Sequence, residues 1–327
     1  MKTERRNPAA VLAAALEGER VDGAVLFVGE DADDARTRSG LDGAVWVREA
    51  GGAMAPLPWP PEGMFVAATL RMPRAHDAYV MALDAIATRL VPGAPIYIYG
   101  PNEEGIRSAP RDLDGLFDHH ESVLMRGHAR VWRAERVASP EGLRTSLADW
   151  RRVQPLEFAG VKRDWVSYPG DFAQGLLDAG TALLIAQLPQ SGAGAALDFG
   201  AGTGILARVL VERGFTLDMI ERDCLAHDAA MRNVPQARAI LNDRLVPSAR
   251  YRLIVSNPPI HNGKAVDLRV LEALIAQAPQ HLERGGLLLL VTQQTVPVPR
   301  LAQERFATVQ CLSEAQGYRV WGLHAPK

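Results

Sequence analysis

The turn Asp198-Phe199-Gly200-Ala201-Gly202-Thr203-Gly204 constrains the fold of this chain more than any other stretch. A short apolar run, Ala195–Phe199, leads into it, and Thr203–Arg213 follows with helical periodicity. Glycines at a strand-to-helix turn let the backbone approach a ligand closely, and the helix start offers unpaired N–H groups. The same alternation continues downstream. Thr216–Ile220 reads as a strand, Asp223–Arg232 as a helix, Arg238–Leu241 and Leu253–Ser256 as strands, and Asp267–Leu282 as a long helix closed by Arg284-Gly285-Gly286. Leu287–Val291 is apolar throughout, as expected of a strand buried on both faces. Strands alternating with helices imply βαβ units and an α/β fold with a doubly wound, mostly parallel sheet.

The N-terminal half repeats this rhythm. Ala24–Val28, Val45–Val47, Phe65–Leu70 and Ile96–Tyr99 read as strands and Ala75–Leu90 as a helix. Arg130-Val131-Trp132 recurs 189 residues later as Arg319-Val320-Trp321, and the strand at Phe65 stands at the same offset from Ile254. Two matches at one offset, joined by the same order of elements, point to an internal duplication. Two domains follow, residues 1–150 and 151–327, joined near Leu147–Pro155. A length of 327 residues suits that number.

Composition narrows the class. With 47% hydrophobic and 23% charged residues the chain can bury a core, which excludes a disordered or low-complexity protein. No apolar run approaches the roughly 18 residues of a membrane span. The start of the chain, interrupted by Glu4 and rich in Ala, predicts an amphipathic helix rather than a leader. Two cysteines, Cys224 and Cys311, make no disulfide framework, fit a reducing compartment or an absence of redox selection, and are expected in the core. Residues 1–150 hold 17 Lys+Arg against 22 Asp+Glu, and residues 151–327 hold 19 against 16. Neither half is basic enough to imply nucleic acid by charge alone.

Two motifs carry chemistry. In the glycine-rich turn, Asp198 precedes the first glycine, where a carboxylate can meet a ligand's ammonium group. No Lys-Ser/Thr pair follows the glycines, which argues against a phosphate loop. Glu221, at the end of the next strand, is placed to bind ribose hydroxyls, which both NAD and S-adenosylmethionine possess. The second motif, Ser256-Asn257-Pro258-Pro259-Ile260-His261-Asn262-Gly263, follows a strand. Its prolines stiffen the turn and remove two backbone donors. Carbonyls and the Asn257 side-chain oxygen can then accept the N–H protons of an exocyclic or amide NH2. Such a nitrogen is a poor nucleophile because its lone pair is delocalised. Accepting its protons at fixed geometry favours the pyramidal form that attacks a methyl group in line.

The C-terminal half resembles a class I S-adenosylmethionine-dependent methyltransferase with an N-methylating Asn-Pro-Pro motif. The form Asn257-Pro258-Pro259-Ile260-His261-Asn262-Gly263 is similar to the ribosomal RNA guanine-N2 methyltransferases, a family of two tandem Rossmann-like methyltransferase domains. The stretch from Pro169 to Pro189 resembles that family's cofactor lid, and Gly100–Ala109 its N-terminal domain, a degenerate copy without a cofactor site. The resemblance implies that Gly200, Gly202 and Gly204 line the methionine part of S-adenosylmethionine beside Asp198. Glu221 would hold the ribose, Asn242 or its neighbour Asp243 the adenine, and Phe172, Asp178 and Thr181 the lid. Asn257, Pro258, Pro259, Ile260 and His261 would form the catalytic turn. Ile260 departs from the pattern, which has an aromatic residue there to stack on the target base.

The expectation is therefore a cytoplasmic methyltransferase acting on guanine N2 of ribosomal RNA or of a ribosomal subunit, with no membrane partner and no metal. The N-terminal copy would position substrate or stabilise the chain. A glutamine-N5 protein methyltransferase poses the same chemical problem but expects an aromatic residue at position 260. A non-catalytic RNA-binding or assembly protein with an idle cofactor site is the non-enzyme alternative. Lys264 and Arg269 flank the catalytic turn as phosphate contacts or as solvated helix residues, the position favouring the former; His119-His120-Glu121 reads as a solvated patch, and Asp31–Asp34 as an exposed acidic loop.

Overall fold

Apolar strands of four to six residues separated by helices fix the architecture, because a strand buried on both faces needs helices above and below it. A computed structural model describes residues 7–246, 249–259, 261–262 and 265–324. The chain divides after Arg151 into two units, each with its own sheet.

In the first unit the elements run α1 (Pro8–Leu16), β1 (Val25–Val28), α2 (Ala32–Ser39), β2 (Gly43–Trp46), β3 (Ala67–Arg71), α3 (His76–Ala87), β4 (Pro95–Pro101), β5 (Phe117–Arg126) and β6 (Ala129–Arg136). They form a six-stranded sheet in the order β2-β1-β3-β4-β6-β5, parallel except at β5 and β6. The acidic run at Asp31–Asp34 is not a loop. Asp31 is the residue before α2 and the next three form its first turn, where carboxylates are favoured by the helix dipole.

The second unit opens with a hairpin that the sequence pattern does not reveal, β7 (Arg152–Phe158) and β8 (Val161–Ser167). It occupies part of the stretch expected to be a junction. Next come α4 (Ala179–Gln187), β9 (Ala195–Phe199), α5 (Ile205–Glu212), β10 (Thr216–Glu221), α6 (Cys224–Asn233), β11 (Arg238–Leu241) and β12 (Tyr251–Ser256). The chain ends with β13 (His261–Asn262), β14 (Ala265–Val266), α7 (Arg269–His281), β15 (Leu282–Gln293), α8 (Val298–Ala302), β16 (Thr308–Ala315) and β17 (Tyr318–His324). The seven-stranded sheet has the order β11-β10-β9-β12-β15-β17-β16. The five strands from β11 to β15 in that order are parallel, while β17 runs antiparallel to both of its neighbours, β15 and β16. Leu288, Leu289, Leu290 and Val291 of β15 are buried among helices on both faces. Each such side chain contributes roughly 1.5–3 kcal/mol. Helix α7 stops at His281, and Arg284-Gly285-Gly286 bulges out of β15: Tyr251 pairs with Leu282, but Leu253 pairs with Leu287. Of the cysteines, Cys224 is buried as expected and Cys311 is exposed.

Strand order confirms the duplication and corrects its offset. The first sheet matches the second strand for strand, lacking only a counterpart of edge strand β11. Trp132 pairs with Ile98 and Trp321 with Leu290 on corresponding strands, so the offset of 189 holds there. In the middle of the sheet, Val28 at the end of β1 pairs with Leu70, whereas β9 runs one residue past its Asp198–Val255 pair to Phe199. Leu70 therefore corresponds to Ser256, at an offset of 186, and Arg71 to Asn257. The strand between them stands at 192, Ile98 to Leu290, so six residues are gained in the connection before it and three are lost after it. Among the described residues no helix is long and apolar enough to cross a membrane.

Candidate active site

Chain order reverses between β9 and β12, because the chain fills β10 and β11 on one side before returning to the other. Loops that leave adjacent strand ends in opposite directions open a crevice at such a switch point. The glycine-rich turn after β9 and the Asn-Pro-Pro turn after β12 both lie there. Buried Ser256 ties the two strand ends together, its Oγ donating to the Phe199 carbonyl at 2.7 Å.

The three glycines do different work. All have left-handed backbone, with φ of 69° at Gly200, 53° at Gly202 and 92° at Gly204. A Cβ on Gly200 or Gly202 would meet nothing within 4 Å, so the turn faces open space. A Cβ on Gly204 would lie 3.0 Å from Val234 Cγ2, so that glycine lets α6 pack closely. The turn is braced from behind by residues that periodicity does not single out. Trp165 Nε1 donates to Thr203 Oγ1 at 2.9 Å. Asn233 Nδ2 donates to the carbonyls of Val166 at 2.9 Å and Thr203 at 3.0 Å, while its Oδ1 accepts from Val166 N at 2.8 Å.

Asp198 is 0% exposed. Its Oδ2 accepts from Ala207 N at 3.0 Å, and among the described residues Oδ1 has no partner. Burial pushes its carboxyl up to about 7, the Ala207 N–H opposes the rise, and the Glu221 carboxylate adds to it. Glu221 ends β10, and burial raises its carboxyl too, against the backbone N–H groups around it. Its Oε1 accepts from Arg222 N at 2.7 Å and Asp223 N at 2.9 Å, and its Oε2 from Gly202 N at 2.7 Å. Asn242 N donates to the Glu221 carbonyl at 2.9 Å, which brings the end of β11 beside it. Asn242 Oδ1 is taken up by Asp243 N at 2.8 Å.

Asn257 is brought against two residues far away in sequence. Its Nδ2 donates to Thr181 Oγ1 at 3.0 Å and faces Asp178 Oδ2 at 3.3 Å. Asp178 caps α4, accepting from Gly180 N at 2.8 Å and Thr181 N at 3.2 Å, and it accepts a short bond from the Thr181 hydroxyl. Pro258 is buried and Pro259 exposed. Phe172 stands apart from this network, 65% exposed on a tight turn in which Ala173 and Gln174 have φ of 50° and 56°. Ile260, the side chain of His261 and Lys264 lie outside the described residues. Arg269, offered above as a phosphate contact, pairs with Asp267 at 2.6 Å.

The first unit fills the corresponding crevice with its own side chains. Gly29 N donates to the Trp46 carbonyl as Gly200 N does to that of Ile220, which places Val47 where the second unit has Glu221. Arg71, at the Asn257 position, is 7% exposed. Its Nη2 meets Glu104 at 2.5 Å and Glu30 at 3.3 Å, and its Nε lies 3.7 Å from Asp31. A Cβ on Gly29 would lie 2.5 Å from Arg71 Cβ, where Gly200 faces open space. Strand pairing also brings together a group that spacing does not show. Ligand atoms of Asp118, His119 and Glu135 lie within 4.8 Å of one another, and Arg133 meets Glu135 at 2.8 Å.

Residues 162–322 match the methyltransferase small domain. The ribosomal RNA small subunit methyltransferase C of Stutzerimonas stutzeri is 32% identical over 269 residues, 80% of each chain. That of Pseudomonas syringae pv. syringae is 28% identical over 95% of this chain and 97% of its own. Among solved structures, the T. thermophilus 16S rRNA N2 G1207 methyltransferase, in complex with AdoMet and guanosine, superimposes with a TM-score of 0.85 at 23% identity. The match covers 96% of this chain and 91% of that one, and it shows the two-unit fold. On its crevice of glycine turn and Asn-Pro-Pro turn, and on its identity to these curated relatives, the chain belongs to the ribosomal RNA small subunit methyltransferase C family.

Proposed function

We propose that this chain is a cytoplasmic enzyme that methylates the exocyclic N2 of a guanine in small-subunit ribosomal RNA, with S-adenosylmethionine as methyl donor. One observation carries the reading: Asn257, its amide nitrogen turned inward, shares a crevice with a glycine turn that faces open space. The residues fit the cofactor. The unpaired Asp198 Oδ1 supplies an acceptor for a cationic group, and Gly200 and Gly202 leave room for a chain to lie against the backbone. Glu221 Oε1 already accepts two N–H groups and Oε2 one, so Oε2 keeps a lone pair for a ribose hydroxyl. Asn242 Oδ1 accepts one N–H and, like Glu221 Oε2, keeps a lone pair, so either it or the neighbouring Asp243 carboxylate can accept from the adenine amine.

When bound, the cofactor supplies an electrophilic methyl group: the nitrogen lone pair forms the new N–C bond, the S–C pair stays on sulfur, and the nitrogen releases a proton to water. The chain's part is to orient the nucleophile. Asn257 Oδ1 accepts an N–H of the target amine and draws it toward the pyramidal geometry that attacks in line. Pro258 and Pro259 hold the turn rigid and compete for no acceptor. The target base must be unpaired or flipped out to reach this turn.

The test is tritium transfer from labelled S-adenosylmethionine to small-subunit RNA or to assembled subunits, followed by mapping of the methylated base. Label on guanine N2 that is lost with Asn257→Ala supports the reading. Label on a protein glutamine, or none on RNA, overturns it.

A further inference from the structure

We propose that Asp178 and Thr181 are positioning residues that lock the Asn257 amide with its oxygen toward the substrate, an inference that rests on the methyl transfer proposed above. An asparagine amide is nearly symmetric in shape, so packing alone does not choose between its two orientations. Here hydrogen-bond directions choose. The Thr181 hydroxyl gives its proton to Asp178, so toward Asn257 it offers only lone pairs. Asp178 offers a carboxylate, which is acceptor-only when ionised. Both groups therefore demand a donor, and Nδ2 meets them at 3.0 and 3.3 Å. Turning the amide over would set Oδ1 against a carboxylate oxygen and a hydroxyl oxygen, a repulsive contact in a half-buried site.

The consequence appears at the other end of the amide. Among the described residues Oδ1 accepts no hydrogen bond, so it stays available to an incoming N–H. A negative charge beside Nδ2 also polarises the amide and makes Oδ1 a stronger acceptor. Asp178 is itself held by two backbone N–H groups at the start of α4. The line of control therefore runs from a helix cap, through Thr181, to the atom that meets the substrate. Both residues are committed to Asn257 and to the cap, which separates them from Glu221 and Asp198, whose free acceptor positions suit the cofactor.

The test compares Thr181→Val, Thr181→Ser and Asp178→Asn with the wild type by three readouts. These are cofactor affinity by calorimetry, kcat and KM on small subunits, and the 15N–1H resonances of the Asn257 side-chain amide, identified by their loss in Asn257→Ala. Thr181→Val should keep cofactor affinity within about twofold and lower kcat about 10- to 100-fold, with Thr181→Ser restoring most of it. The Asn257 amide protons should shift and exchange faster in Thr181→Val than in the wild type. A raised cofactor Kd with unchanged kcat would make these residues cofactor contacts and overturn the inference, as would unperturbed amide resonances. If Thr181→Val fails to fold, Asp178→Asn carries the same readouts, because Asn still caps a helix. Full activity of Asn257→Ala would instead overturn the proposed function, and the resonances of the unliganded protein would still decide whether the amide is locked.

Discussion

At the scale of single residues, the buried carboxylate and the glycines make separable predictions. Asp198 has its carboxyl pushed up to about 7 from 3.8 by burial, so the folded chain holds that proton more tightly than the unfolded one. Its contribution to stability is complete below about pH 4 and is lost as the pH rises through about 7. Unfolding of the unliganded protein by urea should show this decline, and Asp198→Asn should flatten it. A cationic cofactor needs the ionised form, so affinity measured by calorimetry should rise with pH across the same range in the wild type only. The glycines separate binding from stability. Gly202→Ala places a methyl group in open space at φ 53°, so it should cost about 1–2 kcal/mol of stability and abolish cofactor binding. Gly204→Ala adds a contact at 3.0 Å with Val234 to similar strain, and should be the more destabilising of the two in the same urea experiment.

At the scale of elements, the alternation of strands and helices was readable because a doubly wound sheet imposes it on the apolar pattern. The β7–β8 hairpin escaped for a physical reason. Its exposed face carries Val153, Pro155 and Glu157, and its inner face opens with the polar Arg152 and Gln154 before Leu156 and Phe158, so neither alternation nor apolarity marks it strongly. It stays in place through Asn233, which closes two hydrogen bonds on Val166 and a third on the glycine turn. Asn233→Ala should cost about 2–3 kcal/mol in denaturant unfolding, because it leaves buried backbone groups unpaired. Cofactor affinity should fall with it, since Thr203 loses its brace. The Asp31–Asp34 helix start was misjudged as a loop because acidic residues suit an exposed loop and a first helical turn equally.

At the scale of the whole molecule, one architecture occurs twice and one crevice is open. Calorimetry should find one S-adenosylmethionine per chain, and Glu221→Ala should remove it rather than halve it. Arg71→Met should not create a second site, because Val47 stands where the ribose-binding acid would be. It should destabilise the first unit by about 1–3 kcal/mol, since Glu104 and Asp31 lose a buried cation but keep Arg74 and the Tyr99 hydroxyl as partners. Charge separates the same way: residues 1–150 carry five more acids than bases, and residues 151–327 three more bases than acids. RNA affinity measured against salt should therefore fall steeply and should be lowered by neutralising arginines of the C-terminal half.

The sheet, the duplication and the two chemical turns are legible in the order of residues. Each is local: a strand, a glycine turn or an Asn-Pro-Pro run is written in consecutive residues with a period or a backbone requirement. The same order also places Glu221, which the strand-end position alone locates. Tertiary structure decided which atoms face which. Asp178 and Thr181 lie more than seventy residues before Asn257, and only the folded sheet sets their acceptors against its amide nitrogen. The closed crevice of the first unit was settled in the same way. Nothing in the order of residues says that Arg71 would replace Asn257 and be held there by Glu30, Asp31 and Glu104, because hydrogen-bond partners are chosen by proximity in space.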